Sequence, residues 1–355
     1  MIFRVGPSAN DGRLPMGTNL TNNKDVERKT LLILRILNEV QGPVGSRLIA
    51  RRMQELGVTA SERAVRYHLK LMDERGLTKL IGQKDGRIIT RMGIDELGAA
   101  RVEDKVGLAI SRIETLAFQT TFDPEKQEGL LPVNISFFNN ADFPEALRIM
   151  APVFEAGFVV SNRVAVASAG ERLGQLMIPE GKIGIATVCS IVVNGVLLKQ
   201  GIPMDSKFAG ILQIKNRQPL RFVELIYYSG SSLDPSEAFI RANMTTVQST
   251  IQTGDGMILA NFREIPSICY PLMSNILQKM KDADIHGVFV MGEVSEPICE
   301  IPVDMNKMGL ILVGGLNPVA CVQEAGIIVE SRAMSSVMNY GDLTPFSEIY
   351  KKYTQ

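Results

Sequence analysis

One stretch of this chain is written twice. Lys182-Ile183-Gly184-Ile185, followed by Val188, matches Lys307-Met308-Gly309-Leu310, followed by Val313. With no gap, Gly201-Ile202 then falls on Gly326-Ile327, and Ser206-Lys207 on Ser331-Arg332. Upstream, Ile178-Pro179 pairs with Ile301-Pro302 after a two-residue slip, and an apolar run at 133–138 ahead of Pro144 parallels one at 257–262 ahead of Pro271. A repeat of this size is one supersecondary plan used twice, each copy burying its apolar face against the other. The larger part of the chain is therefore constrained to two like halves of roughly 95 residues, about 131–228 and 256–350, related by a pseudo-twofold axis.

Within a half, the elements alternate. Residues 133–138 read as a strand, 143–155 as a helix, and 158–167 as a strand rich in β-branched side chains. A strand at 184–188, a helix ending at Gly201, and strands at 211–214 and 220–228 complete the first half. The second repeats this with 286–291, 309–313 and a helix at 317–325. Between the halves, Asp234-Pro235-Ser236-Glu237 predicts a helix start with Asp234 as the N-cap. The expected class is α+β, with a mixed α/β domain built by duplication.

The front of the chain follows a different period. Val26, Ile33, Leu37 and Val40 predict a helix from about Asp25 that Gly42-Pro43 stops. Ile49, Met53 and Leu56 share one face of a second helix, which Gly57 ends in a left-handed turn that Val58 plugs. Ser61 suits the N-cap of a third, with Val65, Leu69 and Met72 inward and Arg63, Arg66, Tyr67 and Lys70 outward. Two short strands follow around Lys84-Asp85-Gly86. Three helices and a hairpin make a winged helix-turn-helix. The outward row is the expected reading face, since arginine is the commonest reader of guanine edges, and Lys84 and Arg87 at the wing are expected on phosphate. A basic helix face that merely meets water is the bland alternative. Charge favours the first: residues 24–105 hold 17 basic and 12 acidic side chains, whereas the formal net charge of the whole chain is zero.

The expected organisation is a tail at 1–23, the winged helix at 24–92, a connecting helix at 93–122 carried by Val102, Val106, Ile110, Ile113 and Ala117, and the duplicated domain at 123–355. A chain of 355 residues with 45% hydrophobic content buries substantial cores. It shows no long apolar run and no signal-peptide pattern, so a cytoplasmic protein without a membrane partner is expected. The four cysteines, Cys189, Cys269, Cys299 and Cys321, form no CxxC pair, and no metal site is expected. His68 and His286 have no nucleophile or metal partner at a telling spacing, and Walker, GxGxxG and HExxH motifs are absent. No catalytic residue and no cofactor is expected; an enzyme with an appended winged helix is the alternative, which turnover would reveal.

One place looks built for a ligand, and the duplication supplies it twice. The strand at 310–313 runs into Gly314-Gly315-Leu316-Asn317-Pro318, where the glycines allow backbone to approach a small molecule and Asn317 is the expected N-cap. The positive end of that helix favours a carboxylate or phosphate. The aligned place in the first half is Thr187-Val188-Cys189-Ser190, whose hydroxyls and thiol suit a polar ligand. A tight turn needing no ligand is the alternative.

The segments GKIGIATVCSIVVNGVLLKQGIP (181–203) and KMGLILVGGLNPVACVQEAGI (307–327), behind a winged helix, resemble the archaeal nitrogen-regulatory repressors of the NrpR type across nearly all of residues 25–350. The resemblance implies a repressor of nitrogen-assimilation genes with one regulatory domain. It also implies a dimer or larger assembly on palindromic operators, in some members with a paralogous subunit, and release by 2-oxoglutarate. A homodimer is expected on physical grounds too, because one winged helix makes few base contacts. For such a dicarboxylate the expected site lies between the halves, formed by Thr187, Cys189 and Ser190 from one and Gly314, Gly315 and Asn317 from the other. Lys207 and Arg332 are the expected cations, with Lys182 and Lys307 second.

Overall fold

The computed structural model describes residues 18–40, 42–55, 58–82, 85–99 and 107–354. They fall into two compact units, Met1–Ala100 and Arg101–Gln355.

The first unit is α1 (Thr18–Val40), α2 (Ser46–Glu55), α3 (Glu62–Glu74), β1 (Thr78–Gly82), β2 (Gly86–Ile89) and α4 (Arg91–Ala99). Helix α1 starts at Thr18, within the stretch expected as a tail; the rest of that tail, and Leu56, Gly57 and Lys84, lie outside the described residues. Ile33, Leu37, Ile49, Met53, Val65, Leu69 and Met72 meet in one core, as their spacing requires. Ser61 Oγ accepts from Ala64 N at 3.2 Å, which is the expected cap. The wing is tied back by reciprocal hydrogen bonds between Val44 and Arg87, N to O at 2.9 and 3.0 Å.

The expected connecting helix at 93–122 is two helices. Leu97 of α4 packs on the winged-helix core, whereas α5 (Leu108–Gln119) places Ala109, Ile113, Leu116 and Ala117 in a core of the second unit. Their apolar stripes serve different cores, so one periodic run does not mean one helix. Val102 and Val106 lie outside the described residues.

The second unit continues with β3 (Leu130–Asn139), α6 (Phe143–Glu155), β4 (Arg163–Ser168), the small hairpin β5 (Arg172–Leu173) and β6 (Leu176–Met177), β7 (Lys182–Val188), α7 (Ile191–Lys199), β8 (Asp205–Lys215) and β9 (Gln218–Tyr227). Helices α8 (Pro235–Arg241) and α9 (Val247–Thr253) join this half to β10 (Gly256–Pro266), α10 (Tyr270–Asp282), β11 (Val288–Val294), β12 (Lys307–Val313), α11 (Asn317–Glu324) and β13 (Glu330–Asn339). Strand β14 (Thr344–Pro345) and α12 (Phe346–Thr354) end the described chain. Each half thus runs β-α-β-β-α-β, the split β-α-β plan.

The sheets are ordered β13-β3-β7-β4-β14 and β11-β12-β10-β8-β9, and their pairings are antiparallel. In the split β-α-β plan a half's own last strand lies beside its first. Here β13 of the second half lies beside β3 of the first, and β8 of the first beside β10 of the second. The halves have exchanged their last strands. Strand β10 is paired on both edges, by β8 and β12, and buried without alternation over residues 258–265. The duplicated glycine of the Lys-x-Gly motif has a packing cause in both halves. A Cβ at Gly184 would collide with Ile178, and one at Gly309 with Ile298 and Val303.

Gly86 has φ +97° and lies so close to the Val44 carbonyl that a Cβ there would overlap it. Gly86→Ala is therefore expected to destabilise the winged-helix unit by about 2–3 kcal/mol, since it combines backbone strain with a backbone clash. Chemical denaturation of the wild-type and variant chains measures this, and a loss below about 0.5 kcal/mol would contradict the geometry.

Candidate functional site

The register of the sheets fixes which residues of the two halves are equivalent. Val133 lies opposite Val188 on β7, and Ala260 opposite Val313 on β12, so Val133 corresponds to Ala260 and Asn134 to Asn261. Pairing 133–138 with 257–262 by apolar pattern alone is thus off by three residues. The correct pairing exposes a repeated asparagine that the pattern conceals.

Both strand-to-helix junctions converge on one small cavity, as the duplication predicts. Cys189 N donates to Pro132 O, and its counterpart Gly314 N to Leu259 O, both at 2.9 Å. Thr187 Oγ1 reaches across to Gly315 O at 3.0 Å. A Cβ at Gly315 would lie 2.5 Å from Val188 O and 2.8 Å from Asn134 Nδ2, so this glycine is what lets the second junction close on the first. Asn261 crosses in the other direction, its Nδ2 donating to Ser190 Oγ at 3.3 Å. Cys189, Ser190 and Gly315 line the cavity together with Asn134 and Asn261.

Its cation is Arg263, which sequence reading missed. Arg263 is 1% exposed, the largest of the fully buried side chains. Its guanidinium lies over the Tyr228 ring, 4.9 Å from the centroid, and its Nη1 makes a long 3.4 Å contact to Phe262 O. Its Nε has no hydrogen-bond partner among the described residues. Tyr228 OH donates to Asn261 Oδ1 at 2.5 Å. Asp234 also lines the cavity; it caps α8 by accepting from Ser236 N and Glu237 N at 2.8 and 3.3 Å. Burial pushes its carboxyl up, while the backbone amides and Arg263 pull it down. Burial also raises the Cys189 thiol and the Tyr228 phenol, each to about 12, so both are neutral near pH 7.

The remaining expected site residues lie elsewhere. Asn317 is not the N-cap of α11; Leu316 is. The fully buried Asn317 side chain instead clips Leu259, accepting from its N at 2.8 Å and donating to its O at 3.1 Å. Lys207 joins a cluster with Asp205 (2.9 Å), Glu264 (3.1 Å) and Asp304 (3.2 Å), which Lys307 shares. Arg332 pairs with Glu330 at 3.1 Å. Asp205-Lys207 and Glu330-Arg332 are thus equivalent pairs, each within one exchanged strand, and none of the four lines the Arg263 cavity. Lys182 donates to Asn139 Oδ1 at 2.8 Å.

The winged-helix unit presents a second candidate surface. Arg63, Arg66, Tyr67 and Lys70 all emerge from α3 as exposed side chains. Glu62 holds Arg66 at 3.0 Å and accepts from Ser46 Oγ at 3.1 Å. An exposed pair of this kind is worth little and opens readily toward a better anion. Arg87 is turned inward, its Nε 2.7 Å from Asp73 Oδ2, because Asp73 also accepts from Thr78 and anchors the wing's base. His68 is buried, and His286 hydrogen-bonds Asp284 at 3.0 Å.

The family description "NrpR regulatory domains NRD1 and 2" matches residues 106–345. The chain belongs to the NrpR family. Residues 31–97 match the ribonuclease R winged-helix domain, in agreement with the first unit. Among NrpR relatives, the global nitrogen regulator NrpRI of Methanosarcina mazei is 41% identical, over 89% of this chain and 97% of that protein. The global nitrogen regulator NrpR of Methanocaldococcus jannaschii is 33% identical over 90% of this chain, which spans 55% of its length. A crystal structure of a nitrogen repressor-like protein from Methanococcus jannaschii superposes with a TM-score of 0.58 at 26% identity, covering 67% of this chain and 98% of that one.

Glu237 holds one wall of the cavity, accepting at Oε1 from Ala333 N at 2.7 Å, next to the left-handed Met334. Burial, reinforced by Asp234, pushes its carboxyl from 4.5 up to about 7. A raised folded-state value means that the stability contributed by the protonated form is full below about 4.5 and is lost as pH rises through about 7. In Glu237→Gln that decline is expected to flatten. Thermal melts of the two chains at pH 5, 6, 7 and 8 check this, and parallel profiles would contradict it.

Proposed function

We propose that this chain is a transcriptional repressor of nitrogen-assimilation genes, released from its operator by 2-oxoglutarate bound on Arg263 in an opened form of this cavity, which in the arrangement described holds only about 20 Å³. The observation that carries the effector site is the fully buried guanidinium with an unsatisfied Nε, set where the N-terminal ends of α7 and α11 converge. A buried charge left partly unpaired is costly, and a carboxylate is the group that satisfies it. The two helix starts favour negative charge at either side, which suits a molecule with two carboxylates. The relatives' names support a nitrogen regulator; 2-oxoglutarate is the effector that the family resemblance implies.

The DNA-reading surface is α3, with Arg63, Arg66, Tyr67 and Lys70 in the major groove and the wing, including Lys84, on the backbone. The chain acts as a homodimer on a palindromic operator in the cytoplasm; among the described residues no helix is long and apolar enough to cross a membrane. Release requires that 2-oxoglutarate bind the DNA-incompetent arrangement more tightly than the competent one. Ile113 of α5 lines the cavity, and α5 is the first helix after the segment leading from the winged helix. Movement of that wall is the route by which occupancy is felt. The enzyme alternative is disfavoured because Cys189, the cavity's strongest nucleophile, is held protonated and no histidine lines the site.

Mobility shift on DNA upstream of nitrogen-assimilation genes, with and without 2-oxoglutarate, tests both halves of this reading. Arg66→Ala is expected to weaken specific binding by about 1–3 kcal/mol. Arg263→Met is expected to keep DNA affinity while requiring at least tenfold more 2-oxoglutarate for release, on the order of 1.4 kcal/mol. Unchanged operator binding by Arg66→Ala, or unchanged release in Arg263→Met, would contradict the corresponding assignment.

A further inference from the structure

A second cleft of about 570 Å³ opens between α5, α7 and the start of β8, apart from the Arg263 cavity but sharing Ile113 with it. That volume falls in the range of small-molecule sites. Its polar floor is Asn194, 5% exposed, and Ser206, 8% exposed. Asn194 Nδ2 donates to Ser206 Oγ at 3.0 Å, and Asn194 Oδ1 has no partner among the described residues. A native asparagine buried with an orphaned carbonyl requires a reason. Ser206 Oγ, having accepted from Asn194, still has its own proton to donate. The floor therefore offers an acceptor beside a donor, which is the complement of a primary carboxamide: its NH₂ meets Asn194 Oδ1 and its carbonyl meets Ser206. The rim carries Glu114 and Asp205 against Lys207. Asp205, Glu264 and Asp304 are shared by Lys207 and Lys307, which leaves the cluster one negative charge over, and Glu114 adds a second, so the rim favours a protonated amine. Apolar side chains of α5 and α7, with Tyr227, supply the wall between.

We propose that this cleft is a second small-molecule site, for an amino acid whose side chain ends in a carboxamide. Its polar groups are separate from those of the Arg263 cavity, with which it shares the Ile113 wall, and the pair of probes that separates the two readings is glutamine and glutamate, which differ by the amide alone. Titration calorimetry on the full chain is expected to show glutamine binding at one site per chain and glutamate at least tenfold weaker, because its carboxylate would face the Asn194 carbonyl. Asn194→Ala and Ser206→Ala are each expected to weaken glutamine at least tenfold while leaving 2-oxoglutarate within twofold. Should Asn194→Ala fail to fold, as circular dichroism would report, Ser206→Ala and the wild-type comparison decide. Absence of glutamine binding, equal affinity for glutamate, intact glutamine binding in Ser206→Ala, or loss of glutamine binding in Arg263→Met would each overturn the proposal.

Discussion

The exchange of last strands between the two halves is the constraint on which the regulatory unit depends. Strand β13 completes the first sheet on β3, and β8 completes the second on β10, so neither half has a complete sheet from its own residues. Because the strands cross over, the two strand-to-helix junctions are drawn to one place, with Thr187 bonded to Gly315 O and Asn261 to Ser190. A cavity shared by both halves follows from that closure. So does sensitivity to their mutual arrangement, since Thr187 with Gly315 and Asn261 with Ser190 each join one half to the other.

Within this symmetric frame the chemistry is asymmetric. The register places Ser136 where the second half has Arg263, so two equivalent junctions face a single guanidinium. Burying that charge opposes stability by several kcal/mol unless it is compensated. The Tyr228 ring and the Asp234 carboxyl compensate in part. Nε stays without a hydrogen-bond partner among the described residues, which is the observation the proposed carboxylate site rests on, and Cys189 and Tyr228, both neutral, add no competing negative charge.

Local features were legible in the sequence, and non-local ones were not. The α3 cap at Ser61, the start of α8 at Asp234 and the inward faces of the first three helices depend on residues within one or two turns, and periodicity and cap chemistry read them directly. The repeated Lys-x-Gly motif gave the duplication, because packing under an isoleucine demands glycine in both halves. The strand exchange left no local mark, since the order β-α-β-β-α-β is the same whether or not the last strand returns to its own sheet. Asn317 stood at a plausible cap position, yet its amide was taken by the Leu259 backbone on another strand. Arg263 was passed over because β10 is covered on both faces and shows no alternation to mark it as inward. The repeated Asn134 and Asn261 became visible only when hydrogen-bond register replaced apolar pattern as the alignment.

The central claim is that a dicarboxylate occupies the junction of the halves on Arg263. A crystal structure of the full chain grown with 2-oxoglutarate tests it most directly. The account predicts density for the dianion with one carboxylate on the Arg263 guanidinium and the molecule lying between Ser190 and Gly315. Density for the ligand against Lys207 or Arg332, with the Arg263 cavity unchanged, would contradict it.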